Sequence, residues 1–231
     1  MMGIIGGTSL LNAEFLWGAS DRIVNTKFGS VYLFEGKDFI FIPRHGKNRN
    51  IPPHRINHRA NIFTFQKLGC ENVIGVNSVG SLKKNIKPRS ILIPNDYINP
   101  WNIPTYYDTK IVHITPSLDE SLRKIIISTA RKLGIEVIDG GIYLQTTGPR
   151  LETKAEVKFF QKIADVVGMT MASEATLARE LDMGYASICT VDNYCHGVID
   201  EILDFEKIIE DASKDRDDLM RLINALIKEL K

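Results

Sequence analysis

The sequence is short of cysteine, of surplus charge and of long apolar runs, and each shortage removes a class of function. Cysteine occurs three times, at Cys70, Cys189 and Cys195, and the spacing fits no zinc-ligand pattern. An odd count with no recognisable secretion signal points to reduced thiols and a cytoplasmic protein, a Cys189–Cys195 disulfide being the exception to check. The net charge is only +1, so no excess of basic residues argues for nucleic acid or for an acidic membrane surface. No apolar run approaches the ~18 residues that a bilayer-spanning helix needs. What is present is ordinary: 44% apolar and 25% charged residues fit one globular domain spanning residues 1–231.

The chain is organised around residues 145–174, QTTGPRLETKAEVKFFQKIADVVGMTMASE. An apolar run over 135–144, which reads as a strand, leads into Thr146, Thr147, the turn pair Gly148-Pro149 and Glu152, and a helical pattern (Ala155, Phe159, Ile163) leads out. The second half repeats the order: strand-like DVVGM, then Thr170, then a helix from about Ser173 to residue 182. Ligands of α/β sheets gather beyond the carboxyl ends of strands, where these polar turns fall. A Thr or Ser ahead of a helix with Glu three residues later also marks an ordinary capping device. On the local pattern alone, cap and site weigh the same.

The remaining chain reads as α/β. MGIIGGTSL is a strand running into a Gly-Gly turn with hydroxyls at Thr8 and Ser9, where backbone N–H groups can converge on an anion or simply turn the chain. Residues 22–43 pattern as an antiparallel meander, followed directly by Arg44-His45-Gly46, a cationic pair suited to phosphate, with a guanidinium fork and an imidazole donor. The basic loop runs on through Lys47, Arg49, His54, Arg55, His58 and Arg59. A helix over 57–69 and a strand over 73–82 follow, the strand carrying Asn77, Ser78 and Gly80. After a short strand at 91–93, the loop over 96–116 holds Trp101, Tyr106, Tyr107 and His113, and a loop of that length is usually functional or a subunit contact. A helix over 118–133 shows the capping-box offset Ser117 to Glu120. A strand over 184–191 ends in Asp192-Asn193-Tyr194-Cys195-His196, and an amphipathic helix from about Asp204 to Lys231 closes the chain.

Taken in order, IIGGT, PRHG, NSVGSL, TTGPRLETKAE with GMTMASEA, and YASICTVDN resemble the trimeric purine nucleoside phosphorylase and methylthioadenosine phosphorylase family. Each motif is weak alone; the ordered set is specific. The resemblance implies a single-domain mixed β-sheet, partly barrel-like and flanked by helices. It also implies phosphorolysis, in which phosphate attacks the anomeric carbon of a purine nucleoside and releases the free base, without metal or cofactor. Phosphate is the co-substrate. Carried over by motif, the phosphate pocket comprises Thr8, Arg44, His45, Ser78 and Thr170. Asn77, Leu151, Met169, Cys195, Phe205 and Ile208 line the nucleoside site, and His113 reaches it from a neighbouring subunit of a trimer or hexamer. Glu152 and Asn193 read the base, and with His45 they form the catalytic set.

The same resemblance bears on the substrate. Relatives that prefer 6-aminopurines carry aspartate at the position of Asn193, a second acid at that of Cys195 and serine at that of Glu152. An amide donor at Asn193 and a carboxylate acceptor at Glu152 match O6 and N1–H of a 6-oxopurine, while adenine offers the reverse. The final helix offers Phe205, Ile208 and Ile209 where relatives acting on ordinary nucleosides have a histidine, which implies an apolar 5′ pocket. Together these ends point to 5′-methylthioinosine. 5′-Methylthioadenosine, inosine or guanosine as substrate, and a silent purine-binding protein, are the alternatives. The chain departs from the family pattern at Arg49 (usually histidine), Leu151 (usually aromatic) and Ser9 (usually the third glycine of the opening turn).

Overall fold

The computed structural model describes residues 1–7, 10–200 and 217–230. Thr8, Ser9, Phe205, Ile208 and Ile209, all singled out from the sequence, lie outside the described residues. The central strands are apolar on both faces, as strands covered by helices on both sides must be. β1 (Met2–Gly6) lies between β4 (Phe39–Pro43) and β5 (Asn72–Ser81), all parallel, and β5 pairs in turn with parallel β11 (Gly184–Tyr194). The expected antiparallel meander is present: β2 (Ser20–Thr26) and β3 (Gly29–Glu35) extend the sheet outward from β4.

The sheet forks at β5. Its last residues, Gly80 and Ser81, also pair antiparallel with β10 (Val166–Gly168), which continues to β9 (Ile142–Gln145) and β7 (Asp96–Ile98). On the other branch β11 pairs with β6 (Ile91–Ile93), and β6 with β8 (Ile138–Asp139). The expected single strand over 135–144 is therefore two strands on different branches. Gly140 and Gly141, at φ of 103° and 114°, make the break that only glycine makes without strain. The strand expected over 184–191 runs on to Tyr194, past a bulge between Val191 and Asn193. The loop expected over 96–116 begins as β7.

Alternation along the central strands sorts side chains into two layers. Ile5, Val73, Tyr185 and Cys189 face α1 (His58–Lys67) and α4 (Met171–Glu180). Ile4, Ile74, Ala186 and Ile188 face α2 (Glu120–Lys132) and, with Leu219, Leu222 and Leu226, α5 (Asp217–Glu229). A smaller cluster (Leu82, Leu144, Val157, Phe160, Val167, Cys195) packs α3 (Lys154–Phe160) onto the β10 branch. The result is the expected mixed α/β single-domain fold, a mixed sheet flanked by helices.

Helix starts differ from the expected caps in an informative way. α2 is capped by Asp119, whose carboxylate receives the Leu122 N–H at 2.8 Å, and not by Ser117. α3 has a full capping box, but it joins Thr153 to Glu156 and leaves Glu152 outside. The loop after β7 is pinned by Glu180 at the end of α4, which accepts from the Thr105 hydroxyl and the Tyr106 N–H, both at 2.7 Å. Its far end stands out from the body, with Ile111 91% exposed and His113 exposed beside it.

Candidate active site at the carboxyl ends of the central strands

β4 ends at Pro43, so the next side chain, Arg44, drops between the sheet and α4 and is 3% exposed. Its Nε donates to Glu174 Oε1 at 2.5 Å and its Nη2 to Glu174 Oε2 at 3.0 Å. Nη1 donates to the Val76 carbonyl at 3.0 Å and Nη2 also to the Ile5 carbonyl at 3.2 Å. The Tyr185 hydroxyl donates to Glu174 Oε2 at 2.8 Å. Burial works against the Arg44 charge, but Glu174 outweighs it and holds the guanidinium above its ordinary pKa. The fork expected to face phosphate is thus closed on Glu174. What Arg44 has left for an anion is its positive field and the second Nη1 hydrogen, which has no acceptor among the described residues.

His45 also differs from the expectation. Its Nδ1 lies 2.7 Å from the Ile51 carbonyl, which can only accept, so Nδ1 carries the proton. Burial, the largest influence, and the Arg44 charge outweigh the Ile51 hydrogen bond and Glu174, and push the imidazole below its ordinary pKa. Nε2 of the neutral ring is therefore an acceptor, suited to a protonated phosphate oxygen or a hydroxyl rather than to a bare oxyanion.

His58, given no role from sequence, stands behind this cluster. Its side chain is 12% exposed, and its Nδ1 is buried with no hydrogen-bond partner among the described residues, 3.8 Å from Glu174 Oε1. Burial first, then the Arg44 and His45 charges, lower its pKa from 6.5 to about 4 against the pull of Glu174. With the folded pKa depressed, the unfolded chain takes the proton first as pH falls, so stability is lost between the unfolded value of 6.5 and about 4. His58→Gln is expected to remove on the order of 2–3 kcal/mol of the stability difference between pH 7 and pH 4.5. Urea unfolding at both pH values checks this; equal acid losses in both proteins would place the acid sensitivity elsewhere.

Thr170 heads α4, yet its side chain caps nothing. Its hydroxyl receives a hydrogen bond from Asn77 Nδ2 at 2.9 Å, and Asn77 Oδ1 receives one from the Ser187 hydroxyl at 2.8 Å. The backbone N–H groups of Thr170 and Met171 donate to the Tyr143 hydroxyl at 3.1 and 3.3 Å, and that of Ser173 to Gln145 Oε1 at 3.2 Å. The capping alternative for Thr170 is thereby replaced: buried side chains of β9 serve the helix start. Asn77, expected against the substrate, is 1% exposed and engaged within this network. Ser78, the next residue of β5, is exposed.

The other end of the site lies on the β10 branch. Glu152 is 9% exposed and accepts from the Thr146 hydroxyl at 2.8 Å. It borders a cleft of about 410 Å³ that is also lined by Trp101, Thr146, Thr147 and Phe160. Asn193, carried past the β11 bulge, pairs with Gly80, and its Nδ2 donates to the Tyr194 carbonyl at 2.8 Å. A side chain at position 80 would come within 2.7 Å of Cys195 Sγ and 3.6 Å of Asn193 Nδ2, so glycine there lets these two close over the strand. Burial first, and then the nearby Glu152 carboxylate, push the Cys195 thiol well up, which keeps it neutral. Asn193 and Cys195 thus flank Gly80, and Glu152 lies near enough to act on the Cys195 thiol. Met169 packs beside Gly148, whose φ of 63° suits glycine. Leu151 is 42% exposed, and all three cysteines are free and buried.

Sequence reasoning missed Glu174, Tyr185, Tyr143, Gln145 and Ser187 as parts of the site. The usable signal was a polar residue at a position that periodicity buries, as in MASEATLA, IYLQ and YASIC, because a buried polar group must find a partner.

Comparison with known proteins gives the family. The profile of the "Phosphorylase superfamily" matches residues 2–228. The Archaeoglobus fulgidus protein named "Probable 6-oxopurine nucleoside phosphorylase" is 42% identical, over 100% of this chain and 97% of its own. The Methanocaldococcus jannaschii protein named "Probable S-methyl-5'-thioinosine phosphorylase" is 40% identical over 98% of this chain and 92% of its own. The methylthioadenosine phosphorylase of Schistosoma mansoni, solved with adenine, superposes with a TM-score of 0.88 at 25% identity, covering 99% of this chain and 91% of the other. The Arg44–Glu174 pair beyond β4 and the Thr170 hydroxyl at the start of α4 thus sit on a scaffold matched over nearly its whole length, and the chain belongs to the phosphorylase superfamily.

Proposed function

We propose that the chain catalyses phosphorolysis of a 6-oxopurine nucleoside, with 5′-methylthioinosine preferred. A phosphate oxygen bonds to C1′ as the C1′–N9 bond breaks. The bonding pair goes to the purine, the proton given up by the attacking hydrogenphosphate reaches its N7 through solvent, and the products are hypoxanthine and 5-methylthioribose 1-phosphate. The single observation that carries the reading is that Asn193 and Cys195 close over Gly80, while the Glu152 carboxylate is near enough to help hold the Cys195 thiol up. With one Nδ2 hydrogen given to Tyr194, Asn193 has one donor left for O6 and a carbonyl oxygen to receive N7–H of the departing base. Glu152, steadied by Thr146, accepts from N1–H. Stabilising charge as it develops on the leaving purine is the main service an enzyme can give this reaction.

Phosphate is assigned to the other end, with Thr8, Arg44, His45, Ser78 and Thr170 as its partners. Phosphate is itself the nucleophile, so no metal or cofactor enters the scheme. Met169 and Leu151 are assigned to the sugar and base, and the family resemblance assigns Phe205 and Ile208 to an apolar 5′ pocket. His113 lies on the projecting end of the 96–116 loop beside the 91%-exposed Ile111, which suits a contact that completes a neighbour's site in a homotrimer. Three free thiols accord with the cytoplasm.

Turnover in phosphate labelled with oxygen-18 tests the reaction class. The reading expects the sugar product to be a 1-phosphate that keeps the label on all its oxygens, the bridging one included. Free unphosphorylated sugar as the product would make the enzyme a hydrolase and overturn the reading.

A further inference from the structure

The chain Cys189–Ser187–Asn77–Thr170 is buried and polar, and its hydrogen bonds run in one direction. Asn77 Nδ2 can only donate, so Thr170 Oγ1, at 2.9 Å, receives. The amide is held that way round because the Ser187 hydroxyl gives its hydrogen to Asn77 Oδ1 at 2.8 Å. The other neighbour of Ser187 is the Cys189 sulfur at 3.4 Å, a weak acceptor but a thiol that keeps its proton and can donate to Ser187. A hydroxyl that is already receiving has its own hydrogen free to give elsewhere. The Thr170 oxygen is not called on as a helix cap, since Tyr143 and Gln145 take the N–H groups of Thr170, Met171 and Ser173, and the hydroxyl hydrogen has no acceptor among the described residues. β5 is also shaped around the chain: a side chain at Gly75 would overlap the Tyr185 hydroxyl and lie 2.8 Å from Asn77 Oδ1.

We propose that Asn77 is a positioning residue that fixes the Thr170 hydroxyl as a hydrogen-bond donor to a phosphate oxygen, with Ser187 setting the direction of the amide. The inference rests on the phosphorolysis reading above and adds to it the part played by a residue that touches no substrate.

The test is steady-state kinetics of the full chain with phosphate and nucleoside varied separately. Thr170→Val is expected to raise the phosphate KM by about tenfold or more, as loss of a hydrogen bond to a charged group should. Asn77→Asp keeps the shape but offers Thr170 an acceptor, which turns its hydrogen inward. It is expected to raise the phosphate KM by about as much, with the nucleoside KM within about twofold of wild type. The defect relative to wild type should narrow from pH 8 to pH 6, because the introduced buried carboxyl takes up a proton and regains a donor. A merely structural role would not produce that pH response. Ser187→Ala, which carries the test if Asn77→Asp fails to fold, should raise the phosphate KM severalfold. An effect of Thr170→Val with none from Asn77→Asp or Ser187→Ala overturns the relay and leaves the phosphate reading standing. Wild-type turnover that ignores phosphate overturns the reading beneath it.

Discussion

Arg44→Ala is expected to destabilise the protein by about 3–5 kcal/mol and to abolish phosphate-dependent turnover. The stability loss follows from what remains. Glu174 is 0% exposed, and without Arg44 its carboxylate keeps, among the described residues, only the Tyr185 hydroxyl, with His58 Nδ1 at 3.8 Å. An uncompensated buried charge is far more costly than a missing pair, so the two effects can be separated by removing both charges. Arg44→Met combined with Glu174→Leu should recover most of the stability, because buried pairs replaced by apolar side chains of similar volume are often neutral. It should recover none of the phosphate-dependent activity. Urea unfolding and the phosphate saturation curve of both variants decide the matter. Activity in the folded double variant would remove Arg44 from phosphate binding.

The second large effect concerns the base. Glu152→Gln keeps an acceptor for the Thr146 hydroxyl but turns an N–H toward N1, and Asn193→Asp replaces the donor to O6 by an acceptor. A mispaired buried group costs about 1–3 kcal/mol, so each change should lower the kcat/KM ratio of 5′-methylthioinosine to 5′-methylthioadenosine by roughly 5- to 150-fold. The double variant should favour the 6-amino substrate. A ratio unmoved by either change would mean that the purine is read by other groups, and Asp192, at the bulge beside Asn193, would be the first to examine.

The architecture was legible wherever a pattern was long. The antiparallel pairing over 22–43, the helix from 57 and the buried strand from 73 all follow from periodicity and turn residues, and the structure has them. Where the reading went astray, the deciding contact was remote in sequence. Whether Arg44 faces solvent, phosphate or a buried acid depends on Glu174, 130 residues away, and no local pattern contains that distance. His45 was expected to donate because a protonated imidazole donates; the Ile51 carbonyl, on the same loop, decides otherwise. Asn77 was placed against the substrate from its strand-end position, but a side chain midway along β5 meets β11 and α4 first. Thr170 fitted cap and site equally until Tyr143 and Gln145 took over the capping. Glu152 and Asn193 were singled out only through the family resemblance, since bringing them toward one site depends on the sheet forking at β5, which no local pattern contains.

One measurement bears most directly on the whole account: purine release from 5′-methylthioinosine, 5′-methylthioadenosine and inosine, each with and without inorganic phosphate. The account predicts release only with phosphate, and fastest from 5′-methylthioinosine. Fastest release of adenine would contradict the roles given to Glu152 and Asn193, and release from none of the three would contradict the assignment of the site to phosphorolysis.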